Sequence, residues 1–224
     1  MVTVVTIDGP TSSGKGTISR TVAARLRWHL LDSGALYRLV ALSGQQLGLE
    51  PDNVLGHAAA ALDLDAAFRA VQDEERVWLA DRDVTAQVRT AEAGMGASRV
   101  AAWPAVRNAL LDRQRRFARE PGLVADGRDM GTVVFPDAPL KVFLTASPDE
   151  RARRRYKQLK DKGSGVSLAA LSREIAERDL KDSTRAVAPL KPAADAHVID
   201  STNLDIQDVV EQVLALGRSH SLWP

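Results

Sequence analysis

The stretch VTVVTIDGPTSSGKGT, residues 2–17, constrains the fold more than any other part of the chain. Val2 to Ile7 is a short β-branched run and reads as a strand. Gly9 and Pro10 turn the chain, and Ile18, Val22 and Leu26 then recur every four residues, as one face of a helix does. A strand, a glycine-rich turn and a helix in that order aim successive backbone N–H groups and a helix N-terminus at one point, which makes an anion site. Gly9, Gly14 and Lys15 fit the spacing G-x-x-x-x-G-K-[ST], but Gly16 stands where Ser or Thr is expected. Thr17, one residue later, can offer the hydroxyl that approaches a magnesium ion. The loop Gly9, Pro10, Thr11, Ser12, Ser13, Gly14, Lys15, Gly16 and Thr17 is therefore expected to cradle phosphates, with Lys15 reaching the outer ones.

The same strand-then-polar-turn pattern recurs. A second apolar strand ends at Asp32-Ser33, with a helix from near Ala35, and further strands are predicted at Leu123 to Ala125, Leu140 to Leu144 and His197 to Ile199. Five short apolar strands separated by helices predict an α/β fold, a five-stranded parallel sheet flanked by helices, with ligands at the carboxyl ends of the strands. Asp8-Gly9, Asp32-Ser33, Asp126-Gly127-Arg128-Asp129 and Ser147 all follow strands, so one rim should collect them.

The second and third strands lie about ninety residues apart, far more than a parallel crossover needs, so a lobe is inserted there. Within it, ERVWLADRDVTAQV alternates as a hairpin would, with Val77 and Leu79 before a turn at Asp81-Arg82-Asp83 and the strand resuming at Val84. A helical pattern from Ala91 to Phe117 returns the chain to the sheet. The alanines at 58–61 favour helix, and the tail after Gly217 reads as frayed.

Composition narrows the function. A 224-residue chain that is 45% hydrophobic and 26% charged is an ordinary globular one, and a formal net charge of +1 argues against broad binding to nucleic acid or membrane. There is no Cys, which excludes disulfides, thiolate metal sites and a Cys nucleophile, and His29, His57, His197 and His220 are too scattered for a local metal motif. The start lacks a basic region and meets Asp8 after six residues, so no signal peptide or span is expected and the cytoplasm is the default.

The GKGT of residues 14–17, DSGALYR of 32–38, VADGRDMGTVVFPDA of 124–138 and RAVAPL of 185–190 together resemble the bacterial cytidylate kinases, P-loop nucleoside monophosphate kinases. The likeness runs from Val2 to Leu216. Ser12 and Ser13 replace the Gly-Ala more usual in that family, where backbone comes close to phosphate, so the loop is expected to be tuned rather than disabled. The resemblance implies a P-loop NTPase fold carrying an inserted NMP-binding lobe with a small antiparallel β element and a short Arg-rich lid. It implies one kinase domain over 1–224: a core at 1–40 and 118–217, the lobe at 50–100 and the lid at 151–168.

Such a reaction brings two polyanions together and needs fixed positive charge aimed at the transferring oxygens. The resemblance gives Arg38, Arg128 and Arg185 to the acceptor phosphate, with Lys15, Arg128 and Arg185 as the catalytic charges. The planar guanidinium suits this work because its fork binds phosphate in two places and stays charged. Arg151, Arg153, Arg154, Arg155 and Lys157 crowd ERARRRYKQLKDKGSG, residues 150–165, on an expected helix leading to a Gly-Ser turn. It resembles the lid of these kinases, with Arg154 given to the nucleotide; a solvated amphipathic helix is the competing reading.

Cytosine offers an amino donor beside two acceptors, so its reader needs an acceptor and a donor. By similarity Ser98, Arg107 and Asp129 are that set, and an Asp facing the uracil carbonyl would oppose two acceptors. Arg178 and Asp182 are implied at the ribose, and Ser33 matches a family position too. Locally, Ser33 could cap a helix and Arg178 could pair with Asp182 at i, i+4. Asp126 ends its strand as a Walker-B Asp does, which nominates it with Thr17 for Mg²⁺, directly or through water, against a purely structural role. The expected activity is transfer of the ATP γ-phosphoryl group to CMP or dCMP by a monomer. Two alternatives stay open: a kinase for UMP or another small acceptor, and a nucleotide-responsive switch.

Overall fold

A computed structural model describes residues 2–71, 74–161, 163 and 165–223. The chain divides into two compact units, residues 1–32 with 115–224, and residues 33–114.

The first unit is built on a five-stranded parallel sheet in the order β2 (His29–Asp32), β6 (Leu123–Gly127), β1 (Val4–Asp8), β7 (Leu140–Thr145), β8 (His197–Asp200). β1 and β6 are buried along their whole length, as strands covered on both faces must be. Val5, Ile7, Val124, Leu140, Val142, Leu144 and Ile199 supply the apolar layer. Onto it pack α1 (Lys15–Leu26), through Ile18 and Val22, and α9 (Ile206–Ser219), through Val209, Val210 and Val213. Register aligns the strand ends: Asp8 lies beside Gly127, and Asp32 beside Asp126. The rim expected from the sequence is thus a single row of side chains at the carboxyl edge.

After β6 the backbone makes a five-residue π-helical turn, Met130–Val134, closed by Phe135 N–H donating to Met130 O at 2.7 Å. α7 (Pro148–Lys160) follows β7, capped by Ser147 Oγ accepting from Glu150 N–H, with Pro148 in its first turn, where a missing N–H costs nothing. α8 (Leu168–Thr184) then packs along α7. The expected arginine-rich helix is α7; Lys162 and Ser164 of the predicted Gly-Ser turn lie outside the described residues.

The tail corrects the sequence expectation, because it does not fray after Gly217. α9 continues to Ser219, and Trp223 folds back to donate Nε1–H to Leu214 O at 3.2 Å and to meet the Trp28 ring edge-on at 5.4 Å. Gly217 makes the room: a Cβ there would lie 1.7 Å from Trp223 Cζ2. Turn propensity cannot reveal that an aromatic residue beyond the helix anchors the tail.

In the second unit, α2 (Ser33–Gln46) packs with α3 (Val54–Leu62) and α5 (Ala91–Val100). A small antiparallel sheet runs β3 (Ala66–Val71), β4 (Glu74–Leu79), β5 (Arg82–Asp83). The hairpin is real, but its turn is Ala80-Asp81, both at positive φ (46° and 60°), and Val84 does not resume the strand. Asp83 ends it instead, its Oδ1 accepting Thr85 N–H at 2.9 Å to open α4 (Thr85–Val88), while Val84 is buried. The single returning helix expected over 91–117 is two, α5 and α6 (Pro104–Arg115), because Pro104 has no N–H with which to continue α5 and starts a new first turn instead.

Candidate functional site

The first unit gathers the phosphate loop and the strand-end side chains. β1 delivers the chain to Gly9, whose φ of 156° side-chain-bearing residues rarely adopt and which lies so close to β7 that a Cβ would stand 2.1 Å from Leu144 O. Ser12 and Gly14 have left-handed φ values of 59° and 94°, so the peptide planes alternate and their N–H groups can converge, as in an anion nest. Gly14 starts α1, with its carbonyl accepting from Thr17 and Ile18 N–H. Gly16 is explained by Asp126: a Cβ on residue 16 would lie 3.3 Å from Asp126 Oδ2, and Thr17 stands exposed in the first turn of α1. A small residue there keeps the strand-end carboxylate and the helix start in close approach.

Lys15 is buried, with Nζ donating to Pro10 O at 3.1 Å. Burial first, and then the like charges of Arg128 and Arg178, push its ammonium down to about 7. Asp126, at the end of β6, is buried with no hydrogen-bond partner on Oδ1, and burial raises its carboxyl to about 6 against the pull of Lys15. Burial thus works against the charged form of both Lys15 and Asp126, and a polyphosphate beside Lys15 would favour its ammonium form.

Asp8 organises the segment beside it. Oδ1 accepts Met130 N–H and Oδ2 accepts Gly131 N–H, both at 2.8 Å, so the π-turn is hung from the end of β1. Burial outweighs those two bonds and raises Asp8 to about 7. The tie fixes Arg128 and Asp129, which immediately precede the turn. Arg128 Nε donates to Asp182 Oδ2 at 3.0 Å, so Asp182 of α8 meets the strand-end arginine as an ion pair. Arg185 Nη2 stands 3.9 Å from Asp129 Oδ1, and its Nε donates to Ala188 O. Arg178 lies on α8 one turn before Asp182.

Arg154, on α7, does not reach into open solvent: Nη1 donates to Ser13 O at 3.1 Å and Ser201 Oγ at 3.0 Å, Nη2 to Ser201 O at 2.6 Å, and Nε to Glu150 Oε1 at 3.0 Å. Its guanidinium therefore lies against the back of the phosphate loop. Of the predicted residues, the first unit brings together the loop, Asp126, Arg128, Asp129, Arg154, Arg178, Asp182 and Arg185.

The remaining four belong to the second unit. Ser33, the first residue of α2, donates Oγ–H to Gln114 Oε1 at 2.7 Å, and both are buried. Arg38 donates Nη1–H to Val88 O at 3.0 Å. Arg107, buried on α6, donates to Ala101 O at 3.2 Å and places its guanidinium 5.7 Å from the centre of the Tyr37 ring. Ser98 is half-buried on α5. Sequence reasoning missed Gln114, whose only signal is a polar residue on the apolar side of α6, and gave Asp8 no role beyond the rim.

Comparison with known proteins decides the family. The family model described as Cytidylate kinase matches residues 5–219. The chain belongs to the cytidylate kinase family. The cytidylate kinase of Methylococcus capsulatus is 55% identical over 219 residues, which cover 98% of each chain. That of Pseudomonas syringae pv. tomato is 58% identical over 214 residues, covering 95% of this chain and 93% of that one. Among solved structures, an uncharacterized protein from Eubacterium ventriosum aligns over 96% of this chain and 97% of its own with a TM-score of 0.50 at 9% identity, a likeness of fold alone. Among the described residues no group of three or more His, Cys, Asp or Glu side chains forms a metal cage, and no helix is long and apolar enough to cross a membrane.

Proposed function

We propose that this chain transfers the γ-phosphoryl group of ATP to CMP or dCMP, giving ADP and CDP or dCDP, as a single kinase domain. What carries the reading is the cluster of buried Lys15 and Asp126 with half-buried Arg128 beside a phosphate loop, in a chain of this family. An acceptor phosphate oxygen forms the new bond to the γ-phosphorus as the bond to the β,γ-bridging oxygen breaks, and ADP leaves with that electron pair. The acceptor phosphate is ionised at neutral pH, so no general base is needed. Gly9 to Thr17 hold the donor phosphates. Lys15, Arg128 and Arg185 offset the charge that spreads over the transferring group, an electrostatic role fixed before reaction. The polyanion itself restores the charge of Lys15 that burial weakens.

Magnesium fits the residues present: Asp126 leaves one buried oxygen without a partner, its other oxygen would stand 3.3 Å from a Cβ on Gly16, and Thr17, the next residue, is exposed in the first turn of α1. Thr17 and Asp126 would hold the ion, directly or through water, and it would neutralise phosphate oxygens. Arg38, Arg128 and Arg185 hold the acceptor phosphate, Arg178 and Asp182 the ribose, with Ser33 beside the acceptor, and Ser98, Arg107 and Asp129 the cytosine edge. Residues 151–168 serve as the lid that excludes water during transfer.

The test is ADP formation from ATP and Mg²⁺ with CMP, dCMP, UMP, AMP, GMP and no acceptor, side by side. Strong turnover with CMP and dCMP, little with UMP and almost none without acceptor is the expected pattern. Preference for UMP or AMP would sink the base assignment, and turnover indifferent to every acceptor would sink the kinase reading itself.

A further inference from the structure

The N–H groups of the phosphate loop need their peptide planes held, and the structure shows two arginines of α7 holding them from behind. Arg151 is almost wholly buried. Its Nε donates to Ala146 O at 3.0 Å and Nη1 to Thr11 O at 3.2 Å. Nη1 and Nη2 also bind the two carboxylate oxygens of Asp179 on α8, at 3.1 and 2.5 Å. A buried guanidinium bound by a bidentate carboxylate has one orientation available. Arg154 grips Ser13 O from the same helix.

A trans peptide is planar, so the C=O of one residue and the N–H of the next point in opposite directions. Drawing Thr11 O towards Arg151 turns Ser12 N–H away from α7, and drawing Ser13 O towards Arg154 turns Gly14 N–H the same way. Ser12 makes this hold necessary: at φ 59° a side chain crowds the carbonyl that follows, a conformation that Gly accepts freely and Ser does not. The bond to Thr11 O fixes the peptide immediately before that residue.

We infer that Arg151 is a positioning residue of the donor site, locked by Asp179, which keeps the strained Ser12 turn in its anion-binding form. The inference rests on the reading that this loop binds the phosphates of ATP. Asp179 lies between Arg178 and Asp182 in sequence, and Asp182 holds Arg128, so α8 steadies the back of the loop and the strand-end arginine together.

The experiment measures equilibrium binding of ATP alone and of CMP alone, with thermal unfolding and kcat, for the full chain and for Asp179→Asn, Arg151→Lys and Asp179→Asn combined with Ser12→Gly. Loss of the charge-assisted fork is expected to weaken ATP about ten-fold and CMP less than about two-fold. Ser12→Gly should return much of the ATP affinity in the Asp179→Asn background, because a relaxed turn no longer needs the hold. Equal weakening of ATP and CMP, unchanged ATP affinity, or no recovery with Ser12→Gly would overturn the inference and leave the pair a staple between α7 and α8. Should Asp179→Asn fail to fold, Arg151→Lys, which keeps the charge but loses the fork, is judged on the same two affinities. A wild-type chain that binds ATP and leaves CMP unphosphorylated would refute the kinase reading without touching this one.

Discussion

Asp8 shows how one residue can serve position and resist its own charge. Its carboxylate accepts two backbone N–H groups, an arrangement that favours ionisation, yet burial dominates and raises it to about 7. The folded state therefore keeps a proton on Asp8 between about pH 4 and pH 7 that the unfolded chain has released. Stability attributable to this group is greatest at the acid end of that window and falls as pH rises through it. Asp8→Asn cannot titrate, and its amide leaves one of the two N–H groups without an acceptor, at a cost of about 1–3 kcal/mol. Urea unfolding of both proteins from pH 4 to pH 7 should show the wild type ahead, by a margin that narrows as pH rises. A margin that widens instead would mean that the two N–H bonds outweigh burial.

Among the elements, the clearest test lies in α9, where a glycine inside a helix has a reason. Gly217→Ala forces Trp223 off the helix, giving up its contact with Trp28 and its bond to Leu214 O, and should cost about 1–3 kcal/mol in thermal unfolding. Trp223→Ala should cost about as much, and the double variant no more than either alone, since both remove one contact. Additive losses would show that Gly217 matters for something other than the indole. The same element marks where sequence reading stops. Strands, the phosphate loop and the GRD turn were legible because each is a local pattern: β-branched runs, a Gly-x₄-Gly-Lys spacing, a polar group after a strand. The lobe was legible less well. The break at Trp103-Pro104 was visible in principle, since proline announces it, whereas the ending of β5 depends on Thr85 N–H turning to the Asp83 side chain. Nothing in a run of arginines says that Arg151 is buried or that Arg154 lies against the loop. Their partners, Thr11, Asp179, Ser13 and Ser201, lie 28 to 141 positions away, and only the fold brings them together.

For the whole chain, a net charge of +1 leaves no general attraction for polyanions, so affinity for two nucleotides must come from local concentration of charge. Ligand-linked stability then separates the donor from the acceptor residues. Any ligand that binds only the folded form stabilises it by RT ln(1 + [L]/Kd), about 2.7 kcal/mol at a hundred times Kd. Lys15→Ala removes a buried cation whose charge is wanted only when phosphate arrives, so the variant should fold, lose most of the thermal shift given by ATP and retain that given by CMP. On the proposed role of Lys15, the variant's turnover should fall by orders of magnitude, because charge spreading over the transferring group loses one of its counterparts. Arg107→Ala should do the reverse, abolishing the CMP shift while the ATP shift persists. Two variants with opposite selectivity cannot both result from general loosening of the chain, which would reduce both shifts together. If Lys15→Ala weakened both ligands equally, or if Arg107→Ala left CMP unaffected, the division of labour between the phosphate loop and the base-reading set would be wrong.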